Sequence, residues 1–254
     1  ISEPLRDPAK TDFTAEQQIL SDSSTRPVAG WFLAAVVSPF VDFFKRNGRF
    51  ALVILLFISV FRLSDIAMGI MANPFYLDMG YSKLEIANVT KLFGFFMTIL
   101  GASISGLMVI RLGVYRCLLI GAISVAITNV FFAYLSLLSV ADVRWLAVIV
   151  SLDNLSGGFA ATAFVAFLSG LTSRAYTATQ YALFSSLMTL PGKFISGFSG
   201  YVVDAFDYYT FFLVSAGLGV PAILLVLIYF RTSSGLDKGK IGDHIKDPKG
   251  GTGL

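Results

Sequence analysis

The sequence contains very few of the residues from which most enzyme sites and metal sites are built. Among its 254 residues there is one cysteine and one histidine. The single Cys117 excludes an intrachain disulfide framework and a cysteine-cluster metal site. His244 lies in a polar carboxyl-terminal stretch, which leaves little scope for a histidine-based active site. We therefore expect a chain that is not an enzyme, with no catalytic residues, no metal and no cofactor.

Charge is also scarce, at 14% of the residues against about 25% in typical soluble proteins. Nineteen basic and 16 acidic residues give a net charge of +3, which is too small to indicate nucleic-acid binding. Hydrophobic residues make up 56% of the chain. Their runs are too long and too numerous for the core of a soluble protein, so the partner they indicate is the lipid bilayer.

Six apolar runs are long enough to cross a bilayer as helices, which takes roughly 20 residues. They cover residues 50–72, 86–110, 117–138, 145–171, 178–203 and 208–230. The alternating pattern of a membrane β-barrel is absent from the sequence, so helices are the spanning structure that remains. The sequence predicts an all-α membrane protein whose six transmembrane helices form one domain over 47–230.

Basic residues at the ends of these spans are concentrated on one side of the predicted membrane. Lys83 and Arg144 lie on the opposite side. The nine on the first side are Lys45, Arg46, Arg49, Arg111, Arg116, Arg174, Arg231, Lys238 and Lys240. Because cytoplasmic loops carry an excess of Lys and Arg, both termini are predicted to be cytoplasmic.

Three segments lie outside the predicted spans. Residues 1–30 read as a flexible cytoplasmic linker and residues 231–254 as a disordered cytoplasmic tail. Residues 31–46 are apolar but short, contain Pro39 and Asp42, and end in basic residues. This pattern favours an amphipathic helix lying in the membrane interface, with a seventh span as the alternative.

Five ionisable residues lie well inside the predicted spans, where charge is costly and indicates function. They are Arg62, Asp65, Lys91, Asp153 and Lys193. The third and sixth spans contain none in their interiors. Four spans must therefore turn one face towards protein or water, and the other two can face lipid.

Small residues and a proline add to this picture of the spans. Gly94, Gly101 and Gly157 lie on polar faces and Gly158 lies beside one, where glycine lets neighbouring helices approach closely. Pro191 and Gly192 precede Lys193 and predict a kink or break in the fifth span. Such a break exposes backbone groups near the solute in some transporters, and elsewhere it is only a packing kink.

The six spans divide into two triplets, each with two polar-faced helices followed by one without interior charge. A weak echo supports the division, since Ile-Ser-Gly at 104–106 corresponds to Phe-Ser-Gly at 198–200. The two triplets have opposite orientations. This is the 3+3 inverted repeat expected of one half of a major facilitator superfamily transporter.

The turn after the second span carries glycines and arginines at fixed spacing. These residues are Gly106, Arg111, Gly113 and Arg116. The pattern resembles the cytoplasmic-loop signature of the major facilitator superfamily, although Ile110 stands where that signature has an acidic residue. We expect the glycine to allow close helix approach, and the arginines to hold the loop in the cytoplasm and cap helix ends. Positive-inside anchoring alone is the alternative.

Longer strings resemble one branch of that superfamily. They are PFYL at 74–77, GYSKLEI at 80–86, KLFG at 91–94, AFVAFLS at 163–169 and ATQYAL at 178–183. Over about residues 31–230 they resemble the carboxyl-terminal half of the AmpG muropeptide permease family. The resemblance implies proton-driven import of anhydro-muropeptides across the bacterial inner membrane for peptidoglycan recycling. It also implies an amino-terminal six-helix half as partner, because the family has twelve spans.

The resemblance gives the polar residues expected roles. Contact with the solute is expected from Arg62, Asn88, Lys91, Asn154, Gln180 and Lys193. The candidate proton carriers are Asp65 and Asp153. The alternative for Asp65 is a static pair with Arg62, and the alternative for Asp153 is a hydrogen-bonded polar contact between helices. Two other functions stay open, namely a related solute carrier such as an acetyl-coenzyme A transporter, and a six-helix assembly protein without transport.

Overall fold

The computed structural model describes residues 37–138, 140–173 and 177–228, and the regular elements in these residues are all helical. The α-helices are α1 Ser38–Asn47, α2 Ala51–Phe61, α3 Leu63–Asp78, α4 Lys83–Asn88, α5 Phe95–Leu112, α6 Val114–Ser136, α7 Val143–Leu171, α8 Thr177–Ser196, α9 Ser199–Ala205 and α10 Tyr208–Gly217. A 3₁₀ turn, Gly48–Phe50, joins α1 to α2, and a π-helical turn, Val89–Gly94, joins α4 to α5. Residues 220–228 are again helical.

Five helical stretches in the described part are long and apolar enough to cross a membrane. They are Ala51–Asp78, Lys83–Leu112, Val114–Ser136, Val143–Leu171 and Tyr208–Ile228. These stretches correspond to five of the six predicted spans and extend four of them at the amino- or carboxyl-terminal end. The prediction of an all-α, multi-pass membrane protein is confirmed.

The predicted fifth span, 178–203, is not among these five stretches. It is divided into α8 and α9, because the helical hydrogen bonding tightens at Gly197 and Phe198. The amide of Gly197 donates to the carbonyls of Lys193 and Phe194 at 3.3 and 3.2 Å, and the amide of Phe198 donates to that of Ile195 at 3.0 Å. Polar residues such as Gln180 further lower the apolar character of α8.

The break in this segment lies downstream of the predicted one. Pro191 and Gly192 lie inside α8, which continues to Ser196. Proline has no backbone N–H to donate, but the helix continues past the missing hydrogen bond. Gly192 instead allows the side chain of Ile66 to pack closely against α8, since a Cβ at position 192 would lie 2.8 Å from the Cδ1 of Ile66.

The first span also departs from its predicted form. Its helix does not end at 72 but continues through Pro74 to Asp78. It is interrupted at Arg62, whose φ of −96° and ψ of 3° separate α2 from α3. The amide of Ile66 donates to the carbonyl of Arg62 at 3.0 Å, so helical bonding resumes directly after the interruption.

The helices pack in two principal pairs that are bridged by the third and sixth spans. In the first pair α8 lies against α2 and α3, and in the second α5 lies against α7. Helix α6 packs on α7 and on α10, and α10 also contacts α3. The α5–α7 pair is tight, because a Cβ on Gly101 would lie 2.0 Å from the carbonyl oxygen of Leu155, and one on Gly158 would lie 2.3 Å from that of Thr98.

Two aromatic-rich clusters form the core. The first contains Phe57, Phe61 and Phe164, with the rings of Phe61 and Phe164 stacked at 4.6 Å. The second contains Phe75 and Phe212, whose ring centroids are 4.8 Å apart in an edge-to-face arrangement. Residues of the first cluster precede those of the second along α2 and α3, and follow them along α7, so the clusters occupy opposite ends of the bundle.

Helix α1 covers the described part of the predicted interfacial helix. Phe43 is buried and packs edge-on against Phe184 of α8 at 5.1 Å. Phe40 and Phe44 are exposed, so the helix has apolar side chains both against the bundle and on its outer surface. Residues 31–36, the predicted linker 1–30 and the predicted tail 231–254 lie outside the described residues.

Candidate functional site

A layer of polar side chains crosses the bundle between the two aromatic clusters. Helices α3, α6, α7 and α10 each contribute to this polar layer. Its members are Arg62, Ser64, Asp65, Thr128, Asn129, Asp153, Ser156 and Ser215. Arg62 lies at the interruption just before α3, and each member lies along its span after the residues of one cluster and before those of the other. The layer is therefore held at mid-height by apolar packing above and below it.

Arg62 and Asp65 form an ion pair within this layer. Both side chains are half-buried, at 26% and 22% exposure. The Nε of Arg62 is buried and has no hydrogen-bond partner among the described residues. A cavity of about 10 Å³ lies beside the pair and Ser64, and this is close to the space that one water molecule needs.

Asp153 projects from α7 into the same layer. The hydroxyl of Thr128 lies 3.2 Å from its Oδ1 and 2.9 Å from the carbonyl oxygen of Val125. A hydroxyl has one proton, so Thr128 can donate to only one of these acceptors at a time. The structure thus places both predicted proton carriers in the same polar layer as Arg62.

A second hydrogen-bonded chain in the layer is missed by the sequence reasoning. The Nδ2 of Asn129 donates to the Oγ of Ser64 at 2.7 Å, and this hydroxyl donates to the carbonyl of Ser215 at 2.6 Å. The Oδ1 of Asn129 is buried with no partner among the described residues. The sequence signal that indicates it is an asparagine in the middle of an apolar span.

Lys91 and Lys193 lie away from the polar layer. Both side chains are exposed on the outside of the described bundle, and neither makes an ion pair or side-chain hydrogen bond with a described residue. Lys91 sits in the π-helical turn, a local widening that often marks functional sites. Asn88 is exposed three residues earlier, on the same side of the helix.

Asn154 is used in helix packing. Its Nδ2 donates to the carbonyl of Val150 at 2.8 Å. Its Oδ1 lies 3.1 Å from the hydroxyl of Thr98, which is also 2.8 Å from the carbonyl oxygen of Gly94. A Cβ on Gly94 would lie 3.3 Å from the same amide. The side chain therefore lies in the α5–α7 contact.

Gln180 is buried and tied to α1. Its Nε2 donates to the carbonyl of Pro39 at 2.9 Å and to the Oδ2 of Asp42 at 3.0 Å. Its Oε1 accepts from the Nη2 of Arg46 at 3.1 Å and from the amide of Ser173 at 2.8 Å. All four hydrogen-bonding positions of the side-chain amide are occupied within the protein.

The loop signature spans the junction of α5 and α6, with Gly106 and Arg111 in α5, Gly113 between the helices and Arg116 in α6. Gly113 has a φ of +83°, a conformation that favours glycine, and its amide donates to the carbonyl of Val109 at 3.0 Å. Arg111 and Arg116 are exposed. A Cβ on Gly106 would meet no described atom within 4 Å, so the close approach expected there is not made by the described helices.

No protein-family model matches the chain. The AmpG 4 transporter of Rickettsia conorii is 35% identical over 205 residues, which cover 81% of this chain and 48% of that protein. The anhydromuropeptide permease of Escherichia coli is 35% identical over 213 residues, 83% of this chain and 42% of the permease. The AmpG 1 transporter of Rickettsia prowazekii is 32% identical over 200 residues, 77% of this chain and 44% of that protein.

This chain belongs to the AmpG family of transporters. The resemblance expected from the sequence strings is thereby confirmed. The names of these relatives describe transport, in agreement with the prediction of a chain that is not an enzyme. The chain spans about half the length of the relatives it matches.

Proposed function

We propose that this AmpG-family chain forms one six-helix half of a proton-coupled importer of anhydro-muropeptides. The E. coli relative is named for transport of such a solute, and this chain matches 42% of it. In this proposal the chain is the carboxyl-terminal half of a major facilitator transporter in the bacterial inner membrane. Both of its termini are cytoplasmic, and an amino-terminal half completes the pathway for peptidoglycan recycling.

The pairing of the helices supports an inverted repeat. In a 3+3 repeat the first span corresponds to the fourth, the second to the fifth and the third to the sixth. The first span packs on α8 of the fifth, as α7 of the fourth packs on α5 of the second. The first span also contacts α10 of the sixth, as α7 contacts α6. We take α8 and α9 together as the fifth span, interrupted at 197–198, which brings the number of membrane helices to six.

The observation that carries the proposal is the placement of two lysines. Lys91 and Lys193 lie within helical segments of a membrane protein and are exposed on its surface. A lysine facing lipid costs a few kcal/mol, so such residues face water or another helical unit. Muropeptides carry carboxylates, to which an exposed ammonium group is complementary. We assign these two lysines, with Asn88 beside Lys91, to contact with the solute.

The low burial of the second span supports the proposal that a partner covers it. Only 17% of the most apolar stretch of 83–112 is buried within the chain, against 50% for that of 51–78. In a complete transporter the amino-terminal half would cover part of this surface and enclose the pathway. The chain alone presents half of the pathway.

Proton coupling is assigned to the carboxyl groups of the polar layer. Asp65 and Asp153 lie in one layer with a single guanidinium, that of Arg62, so with both carboxyl groups ionised these three residues carry a net charge of −1. Net charge at mid-height in a membrane protein is unfavourable, and taking up one proton neutralises the group. Asp153 is the favoured carrier, because Asp65 already has Arg62 as its ion-pair partner. Asn154 and Gln180 are assigned positioning roles, since Asn154 lies in the α5–α7 contact and the amide group of Gln180 is fully occupied by protein partners.

The proposal is tested in a chimeric transporter, in which this chain replaces the aligned segment of the E. coli permease. Uptake of labelled anhydro-muropeptide is measured in cells that lack their own permease. The proposal predicts uptake that collapses when the proton gradient is dissipated. A chimera that inserts in the membrane and imports none of the solute would contradict it.

A further inference from the structure

An apolar groove runs along the outside of the bundle between α6 and α7. Its volume is about 450 Å³, within the range of pockets that hold small ligands. Side chains from both helices line it, among them Val130, Phe131 and Tyr134 of α6 and Trp145, Val148 and Leu152 of α7. None of these residues belongs to the polar layer or to the proposed solute contacts.

Two aromatic side chains mark one end of the groove. The rings of Tyr134 and Trp145 meet edge-on with centroids 6.0 Å apart. Tyr134 lies two residues before the end of α6 and Trp145 two residues after the start of α7. Tyrosine and tryptophan are enriched at the level of lipid headgroups. This end of the groove therefore lies near the membrane surface, and Leu152, two turns further along α7, lies towards its interior.

A positive charge stands at the same end. Arg144 is exposed and lies four residues before Val148, which places both on one face of α7. Its backbone amide donates to the carboxylate Oδ1 of Asp142 at 2.8 Å, but its guanidinium takes part in no ion pair with a described residue. The groove thus combines a long apolar lining, an aromatic rim and a cation at headgroup level.

We propose that this groove binds one anionic phospholipid. Its acyl chain lies along the apolar lining between α6 and α7, and its phosphate contacts the Arg144 guanidinium. Arginine is suited to this contact, because its planar group donates two parallel hydrogen bonds to phosphate oxygens. The bound lipid fills the groove and stabilises the α6–α7 pair. This binding depends on membrane insertion and not on transport.

Native mass spectrometry of the purified 254-residue chain tests the site. The chain is released from detergent after incubation with equal amounts of phosphatidylglycerol and phosphatidylcholine, and the retained lipids are counted. We expect one phosphatidylglycerol molecule to be retained in preference to phosphatidylcholine. Arg144→Ala should lower its occupancy about fivefold, the effect of one basic residue at an anionic lipid surface. Lys83→Ala, which removes an exposed lysine predicted to lie on the same side, is the matched control and should leave it unchanged.

A second variant tests the apolar part of the groove. Val148→Trp fills the space between the helices and should remove the retained lipid regardless of headgroup, with helix content checked by circular dichroism. If Val148→Trp does not fold, the test rests on Arg144→Ala, which changes an exposed side chain. Equal retention of both lipids by the unmodified chain, or undiminished retention by Arg144→Ala, would overturn the proposal. Displacement of the lipid by free anhydro-muropeptide would assign the groove to the solute and overturn it as well.

Discussion

Arg62 and Asp65 form an ion pair at the interruption between α2 and α3, one helical turn apart. Arg62 is the only arginine of the polar layer, and the pair gives its guanidinium a counter-charge. Asp65→Asn removes that counter-charge and should destabilise the purified chain by about 2 kcal/mol, because it leaves a partly buried charge unpaired. Unfolding in denaturing detergent, followed by circular dichroism, measures the loss.

The matched control for this pair removes both charges together. Arg62→Met combined with Asp65→Leu keeps similar volumes and leaves no unpaired charge, so its stability should return close to that of the unmodified chain. Equal destabilisation in the single and double variants would mean that packing, and not charge, is what the pair provides.

The two adjacent glycines of α7 should respond differently to the same substitution. Gly158→Ala places a Cβ about 2.3 Å from a backbone oxygen of α5, so the helices must separate, at a cost of about 1–3 kcal/mol. Gly157→Ala meets nothing within 4 Å and should be neutral or slightly stabilising. Thermal unfolding of both variants in detergent compares them. Equal losses would show that α5 and α7 are not in close contact.

Removing the Gln180 amide should release α1 from the bundle. Gln180→Leu keeps the side-chain size but loses the bonds to Pro39, Asp42, Arg46 and Ser173. Hydrogen exchange of the amides of α1 should become at least several-fold faster, while α7 stays protected. Ser186→Ala, which removes a hydroxyl bonded within α8, is the control. Unchanged exchange in α1 would show that Phe43 packing alone holds the helix.

Helix α10 should fray at acidic pH. The backbone amide of Thr210 donates to the Asp207 carboxylate at 2.6 Å, which lowers the pKa of Asp207 below its ordinary value of 3.8. A lowered pKa means that this stabilisation is present above the unfolded-state value and is lost as pH falls through the folded-state value. Exchange at Thr210, corrected for intrinsic rates, should rise below about pH 4. The Asp207→Asn variant should lose this pH dependence, and its persistence would assign the effect to another group.

Much of the fold could be predicted from the sequence because bilayer thickness limits the possible structures. Five of the six predicted spans correspond to long apolar helices. The sequence predicts the break of the fifth span at Pro191, because proline is a recognisable helix breaker. The break lies at Gly197, where it depends on local hydrogen bonding that the sequence does not reveal. The continuation of α3 through Pro74 was missed for a related reason, as a proline in a membrane helix need not end it.

The site was predictable only where charge marked it. Arg62, Asp65 and Asp153 stood out as ionisable residues in apolar runs, and they lie in one layer. The contacts of Asn129 with Ser64, and of Gln180 with α1, depend on residues 65 and 141 positions apart in the chain. A single sequence does not reveal such distant pairings.

Uptake by lysine variants of the chimeric transporter tests the central claim most directly. Lys91→Ala and Lys193→Ala remove the ammonium groups assigned to the solute carboxylates, and Lys83→Ala removes an exposed lysine that has no assigned role. Each variant is compared at equal amounts in the membrane. The account predicts that uptake of labelled anhydro-muropeptide falls at least about tenfold in the first two variants, the effect of losing roughly 1.4 kcal/mol of binding, and is unchanged in the third. Normal uptake in both Lys91→Ala and Lys193→Ala would contradict it.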